Sequence, residues 1–306
     1  MGSNGRRIVK RRLDLPGLLR GRRSRVAFVL SGGGSLGATQ VGMLQALFDA
    51  GIEPDILVGT SVGAVNAAWV AGWPGREGVA KLAEIWTSLR RDDVFPLGWT
   101  AAMGLLGRGK HLISNAGLRT ILERHMPYER LEQAQLPVHI VATELKSGRA
   151  MVLSSGPAVP ALLASCAIPG VFPPVTIGRR KMVDGGVANH TPIATAVELG
   201  ARIIYVLPIG YPWLHEEPAN ALGMALQALA RLVEQRLEAE IAGYKDVADI
   251  RVVPAIEPMP VSPADFSHTQ ELIERGHVSA ATLVEAYRRD KPEPAPKMKR
   301  VAAPAA

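Results

Sequence analysis

Two side chains in this sequence stand where covalent chemistry could be done. Ser61 lies in Gly59-Thr60-Ser61-Val62-Gly63, between the apolar run Ile56–Val58 and the helix-like stretch 64–71. A serine framed by glycines two residues away, at a strand-to-helix turn, is held clear of its neighbours with its Oγ turned outward. The helix N-terminus behind it favours negative charge as it develops. A second stretch, "SGGGSLG" at 31–37, follows the apolar run Val26–Leu30. Gly32, Gly34 and Gly37 fit G-x-G-x-x-G, a row of backbone N–H groups with no Cβ to block an anion. That anion suits two readings, a nucleotide phosphate or the oxyanion of acyl transfer. A dinucleotide site asks for an acid at the end of the second strand, where it holds a ribose. Glu53 and Asp55 fall at the right distance but precede that strand, which ends in Gly59-Thr60-Ser61.

A serine nucleophile needs a base. The seven histidines are His111, His125, His139, His190, His215, His268 and His277, and none sits in a catalytic frame. His139 falls within an apolar strand; His268 and His277 fall at the last helix. Asp184, in Val183-Asp184-Gly185-Gly186, is the better candidate. It ends an apolar strand, and two glycines after it permit close approach to another turn. The same tripeptide also suits a plain hairpin turn.

The elements that must position these residues follow from the hydrophobic pattern. Residues 26–31, 56–60, 138–145, 150–155, 180–186, 202–209 and 249–255 read as strands. Helices are expected over 35–50, 61–72, 160–170, 192–200, a long stretch through Leu222, Leu226, Leu229, Val233, Leu237 and Ile241, and 267–289. Strand–helix–strand–helix order with short joints predicts a parallel sheet with helices on both faces. "KSGR" at 146–149 reads as a hairpin joint. Residues 75–135 read as mainly helical with glycine breaks. Their tryptophans, with Trp69 and Trp73 just before, are expected in the core or in a cover over an acyl groove. Cys166, in a run of small residues, is expected as a packed thiol.

A chain of 306 residues with 47% hydrophobic, 21% charged and 5% aromatic side chains can bury a substantial core. The net charge of +7 resides at the ends: residues 1–25 hold nine Arg/Lys against Asp14 alone, and 26–287 is net acidic. The charge pattern sets off a basic arm at 1–25, expected to be disordered or to lie on a membrane surface, and a Pro/Ala/Lys tail at 290–306, expected to be disordered. The arm interleaves leucines with arginines and suits peripheral association with an anionic membrane surface; no nucleic-acid partner is expected. The basic start lacks a following signal-type apolar stretch, and no run of about 18 apolar residues is present. A single cysteine allows no intramolecular disulfide. A cytoplasmic location, peripheral at the inner face of the membrane, is the expectation.

Taken together, "GGGSLG" (32–37), "GTSVG" (59–63), "SCAIPGVFPPV" (165–175) and "DGG" (184–186) resemble the patatin-like phospholipase family, in family order, over roughly 26–208. The resemblance implies a three-layer α/β/α fold with a mostly parallel central sheet, a catalytic core at 26–208 with a C-terminal helical extension at 209–289 packed on it, and a Ser–Asp dyad without histidine. Carried over, Ser61 is the nucleophile, Asp184 the base, and the amides around Gly32, Gly33 and Gly34 the oxyanion hole. Gly37, Gly59, Gly63, Gly185 and Gly186 complete the motifs. It further implies hydrolysis of fatty-acyl esters of phospholipids or related lipids, with no metal or cofactor. The competing reading is a nucleotide- or acyl-phosphate-binding module. Two positions depart from the family pattern: Leu36 replaces a frequent basic residue, and His190 replaces a frequent asparagine. His190 is therefore an auxiliary candidate.

Overall fold

The computed structural model describes residues 24–95, 113–210, 221–256 and 261–289. The strands are β1 Val26–Leu30, β2 Ile56–Thr60, β3 Val138–Glu144, β4 Ala150–Leu153, β5 Val175–Ile177, β6 Arg180–Asp184, β7 Ile203–Leu207 and β8 Asp249–Val252. The α-helices are α1 Ala38–Asp49, α2 Val62–Gly72, α3 Arg76–Ser88, α4 Arg91–Val94, α5 Ala116–His125, α6 Ala158–Ser165, α7 Ile193–Glu198, α8 Ala221–Tyr244 and α9 Thr269–Arg289.

All eight strands form one sheet in the order β5-β6-β3-β2-β1-β7-β8, with β4 paired to β3. The β3-β2-β1-β7-β8 run is parallel; β4, β5 and β6 add antiparallel pairings. Alternation along the strands divides the core between the two faces. Phe28, Leu30, Leu57 and Leu207 face α1, α2 and α9 through Leu44, Val70 and Ile273. Ala27, Val29, Ile56, Val58 and Val206 face α7 and α8 through Ile193, Ala196, Leu237 and Ile241. The result is the expected three-layer α/β/α architecture. The helix expected over 35–50 divides into a 3-10 turn, Gly34–Gly37, and α1. The reading of the sequence missed β5, a three-residue strand too short for a periodic signal. Among the described residues, no helix is long and apolar enough to cross a membrane. The glycine breaks expected in the helical stretch (Gly98, Gly104, Gly107 and Gly109), its Trp99, the arm through residue 23 and the tail from 290 lie outside the described residues.

One feature of the sheet positions the site. β3 is longer than β2, which pairs only with Val138–Val141. β4 occupies the opposite edge of β3, so β6, paired with Ala142–Glu144, continues along β2's edge. β2 and β6 run toward each other and stop at consecutive positions, Thr60 opposite Val141 and Asp184 opposite Ala142.

Candidate active site

Ser61 follows β2 directly and is the N-cap of α2, with φ 54° and ψ −127°. Among the described residues it is the one non-glycine with positive φ. Such a backbone costs on the order of 1–3 kcal/mol and persists only where its surroundings impose it. Here they do. Ser61 N–H donates to Ser165 Oγ at 2.9 Å, and Ser165 Oγ donates to the Val141 carbonyl at 2.6 Å. The framing glycines let α2 start flush against the sheet. A Cβ on Gly59 would lie 2.4 Å from the Gly63 carbonyl oxygen, and one on Gly63 would lie 2.4 Å from that of Ser31.

The head-on meeting of β2 and β6 brings the two candidate residues together. Ser61 Oγ donates to Asp184 Oδ2 at 2.7 Å, and Gly186 N–H donates to Asp184 Oδ1 at 2.7 Å. Both side chains are buried. Burial pushes the Asp184 carboxyl up from 3.8 to about 6, against the opposing pull of the Gly186 and Ser61 hydrogen bonds. Gly185 packs on the Val141 carbonyl, beside Thr60.

The glycine loop lies on the other side of Ser61, because β1 pairs directly with β2. A Cβ on Gly32 would stand 3.2 Å from Ser61 Cβ. Among the described residues, no backbone or side-chain acceptor takes the N–H of Gly32, Gly33 or Gly34. A fully buried polar network carries this loop. Gln40 Nε2 donates to the carbonyls of Ser31 (2.9 Å) and Leu207 (3.0 Å). Asn66 Nδ2 donates to the Gly37 carbonyl and to Gln40 Oε1, both at 3.0 Å. Trp86 Nε1 donates to Asn66 Oδ1 at 2.9 Å. From outside, Ser35 N–H donates to the Pro263 carbonyl at 2.8 Å.

A cleft opens on Ser61. Its walls are apolar, with Val65, Trp69, Trp86, Leu122, Phe172 and Phe266 prominent. Trp86 stacks on Phe266 with ring centroids 6.1 Å apart, and Phe95 on Phe172 at 5.5 Å. Trp69 and Trp86 thus serve both the core and the cleft wall. Cys166 also reaches the cleft; burial and the neighbouring Asp184 charge push its thiol up, which makes it a poor nucleophile.

His190 is buried between the two glycine segments: a Cβ on Gly32 would lie 3.1 Å from its Nε2, and one on Gly186 3.3 Å from its Cδ2. Its Nδ1 stands 3.4 Å from Thr191 Oγ1. Burial pushes its pKa down to about 4, so at neutral pH the ring is uncharged and a weaker base than Asp184. A His190→Ala variant is expected to lose less than about tenfold in ester turnover, well short of what loss of a general base costs; steady-state kinetics on a short-chain nitrophenyl ester measures this.

Asp55, the acid a ribose would need, is spent elsewhere. Its Oδ2 accepts the Val26 N–H at 2.7 Å, at the opposite end of β1 from the glycine loop. Three supporting residues escaped the reading of the sequence: Ser165, Gln40 and Asn66. Their signal was polarity inside otherwise apolar or small-residue runs.

A family model described as patatin-like phospholipase matches residues 28–197. Patatin-like phospholipase domain-containing protein 7 of Rattus norvegicus is 27% identical over 187 residues, covering 60% of this chain and 14% of that protein. Lysophospholipase NTE1 of Phaeosphaeria nodorum is 28% identical over 204 residues, covering 66% and 13%. An uncharacterized NTE family protein of Mycobacterium bovis is 32% identical over 196 residues, covering 62% and 51%. The chain therefore matches well under two thirds of the length of each of these relatives. Among solved structures, VipD of Legionella pneumophila aligns with a TM-score of 0.47 at 13% identity, over 86% of this chain and 67% of that one. The human GIVD cytosolic phospholipase A2 aligns at 0.46 and 12%, over 87% and 59%.

Proposed function

We propose, given that the chain belongs to the patatin-like phospholipase family, that it hydrolyses fatty-acyl esters of phospholipids or related lipids with Ser61 as nucleophile and Asp184 as base. The observation that carries this reading is the 2.7 Å bond from Ser61 Oγ to Asp184 Oδ2, made beside the glycine loop at the end of an apolar cleft.

The acyl chain lies in the cleft, with its ester carbonyl at Ser61. Asp184 takes the Oγ proton as Oγ attacks the carbonyl carbon. The tetrahedral oxyanion is received by the N–H groups of Gly32, Gly33 and Gly34. Its collapse breaks the bond to the alcohol, which leaves with the proton returned by Asp184, and an acyl-Ser61 ester remains. Water, deprotonated by the same carboxylate, attacks this ester, and its proton passes back to Ser61 Oγ as the fatty acid departs. A carboxylate raised to about 6 is ionised at neutral pH yet more basic than an ordinary aspartate. The strained Ser61 backbone keeps Oγ fixed between base and N–H groups, so little reorganisation accompanies attack.

A fluorophosphonate probe tests this assignment. Peptide mapping is expected to find the adduct on Ser61, with none formed on Ser61→Ala. A wild-type protein left unlabelled would return the reading to an anion-binding module.

A further inference from the structure

β3 runs past the end of β2, and beyond it the β3–β4 and β5–β6 turns lie side by side. Leu145 N–H donates to the Lys181 carbonyl at 2.8 Å, and Arg180 Nε stands 3.6 Å from a Glu144 carboxylate oxygen. These two turns and the first two residues of β6 carry Lys146, Arg149, Arg179, Arg180 and Lys181, all exposed. Glu144 is the one acid in 144–150 and 178–182. The body of the chain between its basic ends is net acidic, so this clustering of cations departs from the background. Leu145 is 51% exposed among these charges, and Val187, just after Asp184-Gly185-Gly186, is 50% exposed. β6 joins the cations to Asp184 over five residues, about 13 Å at the strand rise.

We propose that this double hairpin is a docking surface for an anionic phospholipid bilayer. Cations at the rim of two touching turns suit headgroup phosphates, and an exposed leucine between them suits the boundary with the acyl chains. The apolar residues favour a bilayer over nucleic acid, whose backbone calls for cations alone. The surface is separate from the 1–25 arm, stands on the same end of the sheet as Asp184, and does not depend on Ser61 being a nucleophile.

The test is co-sedimentation of the full chain with phosphatidylcholine vesicles, with and without phosphatidylglycerol. Wild type is compared with the triple variant Lys146→Glu/Arg149→Glu/Arg179→Glu and with Leu145→Ser; Arg180 and Glu144 are left intact to keep their ion pair. A basic residue near an anionic leaflet contributes about fivefold to partitioning. The triple variant is therefore expected to lose on the order of tenfold or more on phosphatidylglycerol vesicles, and Leu145→Ser a smaller factor. Turnover of a soluble short-chain ester and the melting temperature stay at wild-type values. Equal partitioning of the triple variant and wild type overturns the proposal. So does a wild type that ignores phosphatidylglycerol.

Discussion

An Asp184→Asn variant is expected to lose at least about a thousandfold in ester hydrolysis while folding at least as firmly as the wild type. The amide can keep both contacts: Oδ1 still accepts the Gly186 N–H, and the NH₂ group can face Ser61 Oγ. What disappears is the lone pair proposed to take the serine proton. The stability half follows from the direction of the pKa shift. Burial raises the carboxyl from 3.8 to about 6, so the folded protein holds this proton more tightly than the unfolded chain. The contribution to stability is present in full below 3.8 and is lost as pH rises through about 6. At neutral pH the buried carboxylate is thus a burden, by linkage up to about 3 kcal/mol, which the amide does not impose. Urea denaturation at pH 7 and pH 4 separates the two states: the variant gains on wild type at pH 7 and the difference shrinks at pH 4. In parallel, kcat/KM of the wild type rises with pH to a plateau, with a midpoint near 6. An Asp184→Asn enzyme with near-normal turnover would remove Asp184 from the chemistry.

The second large effect is expected from Gln40→Leu, a change that leaves Ser61 and Asp184 untouched. Gln40 is fully buried and makes three hydrogen bonds, to the carbonyls of Ser31 and Leu207 and from Asn66. A leucine there strands buried polar groups at roughly 1–3 kcal/mol each. It also frees the loop whose N–H groups are assigned to the oxyanion. Loss of one such donor costs about 10²–10³ in kcat, and the variant is expected to fall in that range. The diagnostic readout is a split between two ligands. Affinity for a trifluoromethyl ketone, whose adduct carries an oxyanion, drops with kcat, while affinity for the corresponding fatty acid in the cleft holds. If both affinities fall together, the network is mere scaffolding.

Much of the frame was legible because its signals are local. β1 and β2 are short apolar runs that stop at glycines, and the turn after each carries its motif in the next few residues. That made the three-layer fold and the neighbouring placement of the glycine loop and Ser61 readable without coordinates. The proximity of Asp184 was legible only through resemblance, because it depends on pairing between distant strands. Nothing in "RKMVD" says that β6 shares an edge of β3 with β2, and β5 is three residues long. Gln40 and Asn66 were illegible for a different reason. A polar residue on a buried helix face looks like a defect in the periodicity until its partners, supplied by strand ends and another helix, are known.

The head-on arrangement of β2 and β6 has a consequence in time. Ser61 and Asp184 are 123 residues apart in the chain, and the strand that joins their registers, β3, lies between them. A polypeptide growing from its N-terminus carries Ser61 long before Ser165, which holds its turn, and Asp184 have been synthesised, and β2 and β6 meet only through their separate pairings with β3. Closing so distant a contact is among the slower events of folding. A half-made chain therefore holds Ser61 without the carboxylate its hydroxyl bonds to, and the pair assembles only once β6 has joined the sheet.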